Sequence, residues 1–274
     1  QGTPQARGKA MVNILPLDEG ENITTVMALP EDESSWDSLF VMFATATGSV
    51  RRNRLSDFTD VRANGKIAMK MDKDDHLVRV RVFEDQDNVF LATRNGKCIR
   101  FPVTDVRVFS GRTSTGVRGI LLTKGDELIA MSGLKHVKEE VTVRDNYLRS
   151  VNAGRRLSGG DYTDREEDES RDKELMARLK ESQFVQMADA EEYILTVAAD
   201  GMGKRTSAYD YRISKRGGKG IDSIDLKRKK KSLTTVVAII PVVQTDELVM
   251  VSDGGQIIRM PVDGISFTGR TARG

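Results

Sequence analysis

Four arginines, Arg52, Arg100, Arg205 and Arg259, each stand four residues after a glycine that ends a turn signal: Gly48, Gly96, Gly201 and Gly255. Arg51, Lys97 and Lys204 lie beside them. A second set of cations flanks a later turn in each unit: Arg62 with Lys66, Arg112 with Arg118, Lys215 with Arg216 and Lys219, and Arg270 with Arg273. Cations repeated at equivalent places are chemistry for holding a polyanion. They donate to phosphate oxygens and release condensed counterions, and they carry little base specificity. Bond-breaking chemistry has no comparable constellation. The two histidines, His76 and His136, have no partner at metal-ligand spacing, and the acid pairs fall in turns or in one charged stretch. Arg216-Gly217-Gly218-Lys219-Gly220 resembles a phosphate loop in composition alone, because it sits among strands. No catalytic or metal-binding residue is therefore expected.

The elements that must position these cations repeat with a period of about 50 residues. Each copy holds an apolar run, a two-residue turn ending in glycine and a second run that mixes apolar and basic residues, the pattern of a β-hairpin. Asn95-Gly96, Asp200-Gly201 and Gly254-Gly255 suit a tight turn better than Thr47-Gly48 does. From hairpin glycine to turn glycine (Gly65, Gly116, Gly218, Gly274) the intervals are 17, 20, 17 and 19 residues. A further strand pair, as around Gly125-Asp126, completes about four strands per unit. Such units cannot bury a face alone and stack radially as propeller blades do. The expected fold is all-β, one domain over 1–274 that opens and stops inside a unit. The units are 1–38 in part, 39–88, 89–134, 193–247 and 248–274 in part, with an insert at 135–192.

Composition narrows the reading. Hydrophobic residues make up 38% and aromatic residues 5%, so the core is aliphatic. The lone Cys98 excludes an internal disulfide and reads as a small strand residue. No apolar run reaches 18 residues and no signal peptide precedes the first strand, so a cytoplasmic protein without a membrane partner is expected. The net charge of +2 is uneven: residues 135–192 hold 11 Lys and Arg against 15 Asp and Glu, and the remainder holds 32 against 26. The insert carries Arg165-Glu166-Glu167-Asp168-Glu169 and, from about 172 to 187, an amphipathic helical pattern on Leu175, Met176, Leu179, Phe184 and Met187. It reads either as an acidic competitor for the basic surface or as a solvated insertion.

In a ring, equivalent positions share a circumference, so one cation per blade makes a curved stripe that suits a bent duplex. On this reading, reversing charge at Arg52, Arg100, Arg205 and Arg259 abolishes DNA bending and spares the fold. The alternative is that they are solvated strand residues that discourage edge pairing.

Several segments, in this order, resemble the C-terminal domain of the DNA gyrase A subunit of α-proteobacterial type, across nearly the whole chain. They are Gly8-Lys9-Ala10-Met11-Val12-Asn13-Ile14-Leu15-Pro16-Leu17, Phe43-Ala44-Thr45, Arg112-Thr113-Ser114-Thr115-Gly116-Val117-Arg118-Gly119, Gly203-Lys204-Arg205-Thr206-Ser207-Ala208-Tyr209 and Gly269-Arg270-Thr271. The resemblance implies a six-bladed β-pinwheel with strands exchanged between neighbouring blades, whose basic rim wraps double-stranded DNA in a positive sense, largely without sequence preference. It further implies a non-catalytic, nucleoid-associated part of a type II topoisomerase that introduces negative supercoils. Its partners are then the B subunit plus the rest of the A subunit, while ATP and Mg act on other domains or on the B subunit, with no cofactor in this chain. The family's diagnostic heptapeptide, Gln-Arg-Arg-Gly-Gly-Lys-Gly, belongs to the first blade, upstream of residue 1. Its nearest match is Ser214-Lys215-Arg216-Gly217-Gly218-Lys219-Gly220, which the resemblance places on DNA. The strand-cutting tyrosine also lies upstream, so Tyr147, Tyr162, Tyr193, Tyr209 and Tyr211 do not inherit that role. The related alternative is the equivalent domain of topoisomerase IV, which steers substrate choice. An unrelated one is a protein-binding propeller, for which the register-equivalent arginines would pair with acids.

Overall fold

The computed structural model describes residues 7, 17, 19–59, 61, 65–157, 179–226 and 234–272. In chain order, β1 (Phe40–Thr45) turns through Gly48 into β2 (Ser49–Arg54), and β3 (Leu77–Phe83) returns to pair with the other side of β1. The second unit repeats the pattern with β4 (Asn88–Thr93), β5 (Lys97–Pro102), a two-residue strand β6 (Val117–Arg118), and β7 (Leu128–Leu134) paired with β4. Helices α1 (Val141–Leu157) and α2 (Glu181–Asp189) follow. The third unit holds β8 (Tyr193–Ala198), β9 (Gly203–Ser207), β10 (Ile221–Asp222) and β11 (Val236–Val242), and the last hairpin is β12 (Glu247–Val251) with β13 (Ile257–Pro261).

The short strands leave their own units. β6 pairs antiparallel with β2, setting Arg118 opposite Ser49, and β10 pairs with β5, setting Asp222 opposite Lys97. The sheets are therefore β3-β1-β2-β6, β10-β5-β4-β7, β11-β8-β9 and β12-β13, an all-β pinwheel arrangement in which a blade is finished by the next unit. Every residue of β1 and of β4 is buried, because both faces of these central strands are covered. One core cluster joins Met42, Ala44 and Phe83 of the first sheet to Val89, Leu91 and Phe101 of the second, and another joins Phe90, Ala92 and Leu134 to Ile194, Val236 and Ile239 of the third. Much of each unit's apolar surface is thus buried against its neighbours, the condition that makes such folds repeat, while Val41, Phe43, Leu55 and Met69 pack within the first unit under Trp36.

The hairpin glycines adopt positive φ, between 76° and 83°. The poor turn former Thr47 is compensated from outside its hairpin. The Asp75 carboxylate accepts from the Thr47 backbone N–H at 3.0 Å and from its hydroxyl at 2.7 Å, and Asp126 accepts from the Asn95 N–H in the same way. Partial burial pulls the Asp75 pKa upward, but these bonds, with those from Thr45 and His76, hold it below the usual carboxylate range.

Gly116 and Gly220 meet a different demand. Each enters an exchanged strand at positive φ, and a Cβ there would stand 2.5 Å from the Val50 or the Cys98 carbonyl oxygen. Gly220, 19 residues after Gly201, is therefore the counterpart of Gly116, a correction to the sequence-based match with Gly218. Gly220→Ala is expected to cost about 2–4 kcal/mol through combined strain and overlap. Gly201→Ala, with nothing within 4 Å, should cost only about 1 kcal/mol of strain. Thermal unfolding of the two variants compares them, and equal losses would deny the close approach any energetic part.

The insert is anchored where it is described. The sequence pattern does not announce α1, because Val141 and Val143 weaken its helical signal, although Tyr147, Leu148 and Val151 form a stripe. That stripe packs on Met187 of α2 and on Tyr209, whose hydroxyl donates to the Met187 carbonyl at 2.9 Å. The helix expected over 172–187 is found at Glu181–Asp189, and both residues 172–178 and the acidic run at 165–169 lie outside the described residues.

Candidate nucleic-acid interface

Most of the cations beside the hairpin glycines are inside the protein. Arg51 and Lys204 are 0% exposed, Arg100 4% and Arg52 6%, so none of the four is presented on the surface. Arg52 stacks over Phe40 at 4.3 Å and pairs with Asp85 at 2.8 Å. Arg100 donates to the carbonyls of Ala208 and Lys135 at 2.9 and 2.8 Å, and Arg205, half-buried, donates to those of Ile265 and Asp263. Burial pushes the Arg100 pKa down to about 10, which leaves it charged at neutral pH. Arg259 is exposed but paired with Glu247, and Lys97 is paired with Asp222 at 2.6 Å.

The reason is topological. Strands β2, β5 and β9 are not open edges, because the next unit runs a segment alongside each. Val108, Ile213 and Phe267 form parallel bridges to Arg52, Arg100 and Arg205, and the N–H groups of Phe109, Ser214 and Thr268 donate to those arginines' carbonyls. In three copies the backbone at the repeated arginine is thus a tie between units, with the Arg100 and Arg205 side chains adding to it, and the stripe expected from this register is corrected for the buried Arg51, Arg52, Arg100 and Lys204.

The second set of cations behaves differently. Arg62 and Arg273 lie outside the described residues. Lys66 is half-buried and donates to the Asp57 carbonyl, and Arg112 is half-buried with a buried Nη1 that has no hydrogen-bond partner. Arg118, Lys215 and Lys219 are exposed, and none of the three forms an ion pair among the described residues. Arg216 lies between them, donating to the carbonyls of Asp105 at 2.9 Å and Arg118 at 3.0 Å.

Backbone bonds join these turns into one band. The turn at 215–220 docks on the preceding unit's exchanged strand, with Gly217 N–H donating to the Gly119 carbonyl at 2.6 Å and Leu121 N–H to that of Gly218 at 2.8 Å. The next turn repeats the arrangement: Arg270 donates to the Asp222 carbonyl, as Arg216 does to that of Arg118, and Asp225 N–H donates to Ala272. Successive basic turns therefore sit shoulder to shoulder along the strand-exchange seam. Two cations that sequence reasoning missed join them, Arg107, which stacks on Phe109 at 4.0 Å, and Arg212, both exposed. Each immediately precedes a bridging residue, Val108 or Ile213, which is the signal that could have found them. Under the 215–220 turn is a hollow of about 250 Å³ lined by Arg100, Arg212, Lys215 and Lys219 with no carboxylate.

This arrangement of exposed cations can hold phosphates. Cys98 is fully buried, and burial pushes its thiol up to about 12, so it stays protonated. Among the described residues no group of three His, Cys, Asp or Glu could hold a metal ion, and no helix is long and apolar enough to cross a membrane.

Residues 40–84, 87–133, 192–234 and 246–274 match the family described as "DNA gyrase C-terminal domain, beta-propeller". Over 99% of its length the chain is 45% identical to the DNA gyrase A subunit of Granulibacter bethesdensis and 43% identical to that of Rickettsia bellii, and it spans 29% of each of these relatives. Among solved structures, a DNA topoisomerase IV C-terminal domain superposes with a TM-score of 0.69 at 18% identity, covering 97% of this chain and 65% of that one. A DNA gyrase A C-terminal domain gives 0.67 at 22%, covering 98% and 70%. These two likenesses bear on the fold, and the family match and the sequence identities bear on kinship: the chain belongs to the DNA gyrase A C-terminal domain family.

Proposed function

We propose that this chain binds double-stranded DNA along the strand-exchange seam and bends it, serving as the non-catalytic wrapping module of a gyrase A subunit. The observation that carries the reading is the band itself, in which Arg118, Lys215 and Lys219 stand without acidic partners on elements locked together by backbone bonds. Bending a 20–30 base-pair site costs about 1–6 kcal/mol, which several phosphate contacts can offset. In this reading the remainder of the A subunit cuts the strands, the B subunit hydrolyses ATP with Mg, and wrapping selects the segment to be passed so that negative supercoils accumulate. The setting is then the cytoplasm, on the nucleoid.

The test is ligation of nicked plasmid circles with rising amounts of the full-length protein, across a salt series. The expected result is a positive linking-number shift that fades as salt rises. Binding without a shift would refute wrapping. The ion pairs Arg52–Asp85 and Arg259–Glu247 are what a protein-binding propeller would show, and salt-insensitive or absent DNA binding would favour that reading.

A further inference from the structure

The residue three places after each hairpin glycine reads Arg51, Ile99, Lys204 and Ile258. In the first three units it is a seat for the next unit's basic turn. Lys204 Nζ donates to the carbonyls of Gly269 and Arg270 at 2.6 and 2.7 Å, and Arg51 donates to the Ser114 carbonyl and hydroxyl, both at 2.6 Å. Ile99 Cδ1 occupies the same place, 3.7 Å from where a Cβ on Gly218 would lie. The residue two further on follows suit. Asn53 donates to the Phe109 carbonyl and Thr206 to that of Thr268, whereas the second unit has Phe101, buried in the apolar core.

Two units therefore have a polar seat and one an apolar seat beneath the same turn. The fold accepts isoleucine there, and a buried cation is a costly way to fill an interior position. Arg51 bears that cost visibly: its Nη2 is buried without a hydrogen-bond partner, and burial with nearby Arg107 lowers its pKa. What the cation adds is a grip on the carbonyls of the turn that carries Arg112 or Arg270. A turn held in shape beforehand loses less conformational freedom when it meets its ligand.

The geometry points to Arg51 and Lys204 as positioning residues for DNA binding, buried cations that shape the basic turns of the following units without touching phosphate. This rests on the DNA reading above. Direct contacts and positioning separate in the salt dependence, since each lost phosphate contact flattens the slope of log affinity against log salt by about 0.9.

The experiment measures duplex-DNA affinity at several salt concentrations for full-length protein carrying Lys204→Met, Lys204→Arg or, as control, Lys219→Ala. Lys204→Met is expected to bind about threefold to tenfold more weakly with an unchanged slope, and Lys204→Arg to restore affinity. Wild-type affinity in Lys204→Met, a slope flattened as by a lost contact, or no rescue by arginine would overturn the proposal. If Lys204→Met fails to fold, Arg51→Met, with Arg51→Lys as its rescue, decides by the same criteria. Unaltered binding by Lys219→Ala would instead count against the seam as the DNA surface, a distinct failure.

Discussion

Arg100→Ala is expected to lower stability by about 3 kcal/mol, because it strips donors from the Ala208 carbonyl of the next unit and the Lys135 carbonyl at the end of β7, and leaves a hole in a buried, hydrogen-bonded site. For a chain of this size that is roughly 6–12 °C in thermal midpoint. Arg100 is 4% exposed, its two bonds run to Ala208 and Lys135, and the Ser214 N–H bonds to its own carbonyl. Below the melting range the variant should keep the wild-type salt slope for DNA. Arg259→Ala, which removes only an exposed pair with Glu247, should change stability by less than about 1 kcal/mol. Differential scanning calorimetry of the two variants decides. If Arg100→Ala melts with wild type while DNA binding weakens and the slope flattens, this arginine is a phosphate contact after all. The contrast also changes what simultaneous reversal of Arg52, Arg100, Arg205 and Arg259 would report: the Arg100 and Arg205 side chains join units and Arg52 is buried against Phe40 and Asp85 of its own unit, so the first observable would be unfolding.

Replacing Arg118, Lys215 and Lys219 together by alanine should do the opposite. Their side chains are exposed and unpaired by acids, so stability should move by no more than about 0.5 kcal/mol per site. If each meets one phosphate, the slope of log affinity against log salt flattens by about 2.7, and affinity at about 0.1 M salt falls by roughly two to three orders of magnitude. Fluorescence anisotropy with a labelled duplex across a salt series measures both quantities. An unaltered slope in a folded triple variant would remove the seam from the DNA surface and leave the chain's cations with an architectural part only.

The two outcomes divide residues that look alike in the sequence. Arg52 and Arg118 are both arginines in strands, and no local pattern says that one faces inward. A weak sign did exist: position three after the hairpin glycine alternates between Arg or Lys and Ile, which a solvated site has no reason to do. The helix α1 was missed for a similar reason, since its buried stripe of Tyr147, Leu148 and Val151 makes sense only once Tyr209 and Met187 lie opposite it.

The aliphatic core expected from composition is corrected by the buried Phe83, Phe90, Phe101 and Tyr211. What the chain's residues settle alone is the repeat, with hairpins closed by glycine at positive φ and basic turns at a recurring interval. Those features depend on neighbours a few residues apart, and short-range sterics and composition are written locally. Which cations serve the interior and which serve the surface was decided only by what each following unit lays on the preceding blade, the segments bridged at Val108, Ile213 and Phe267 and the exchanged strands β6 and β10. Two-residue strands carry no periodicity to read. Their partners lie some 70 or 120 residues away in the chain, and the carbonyls that make ties of Arg100 and Arg205, those of Ala208 and Ile265, also come from the following unit.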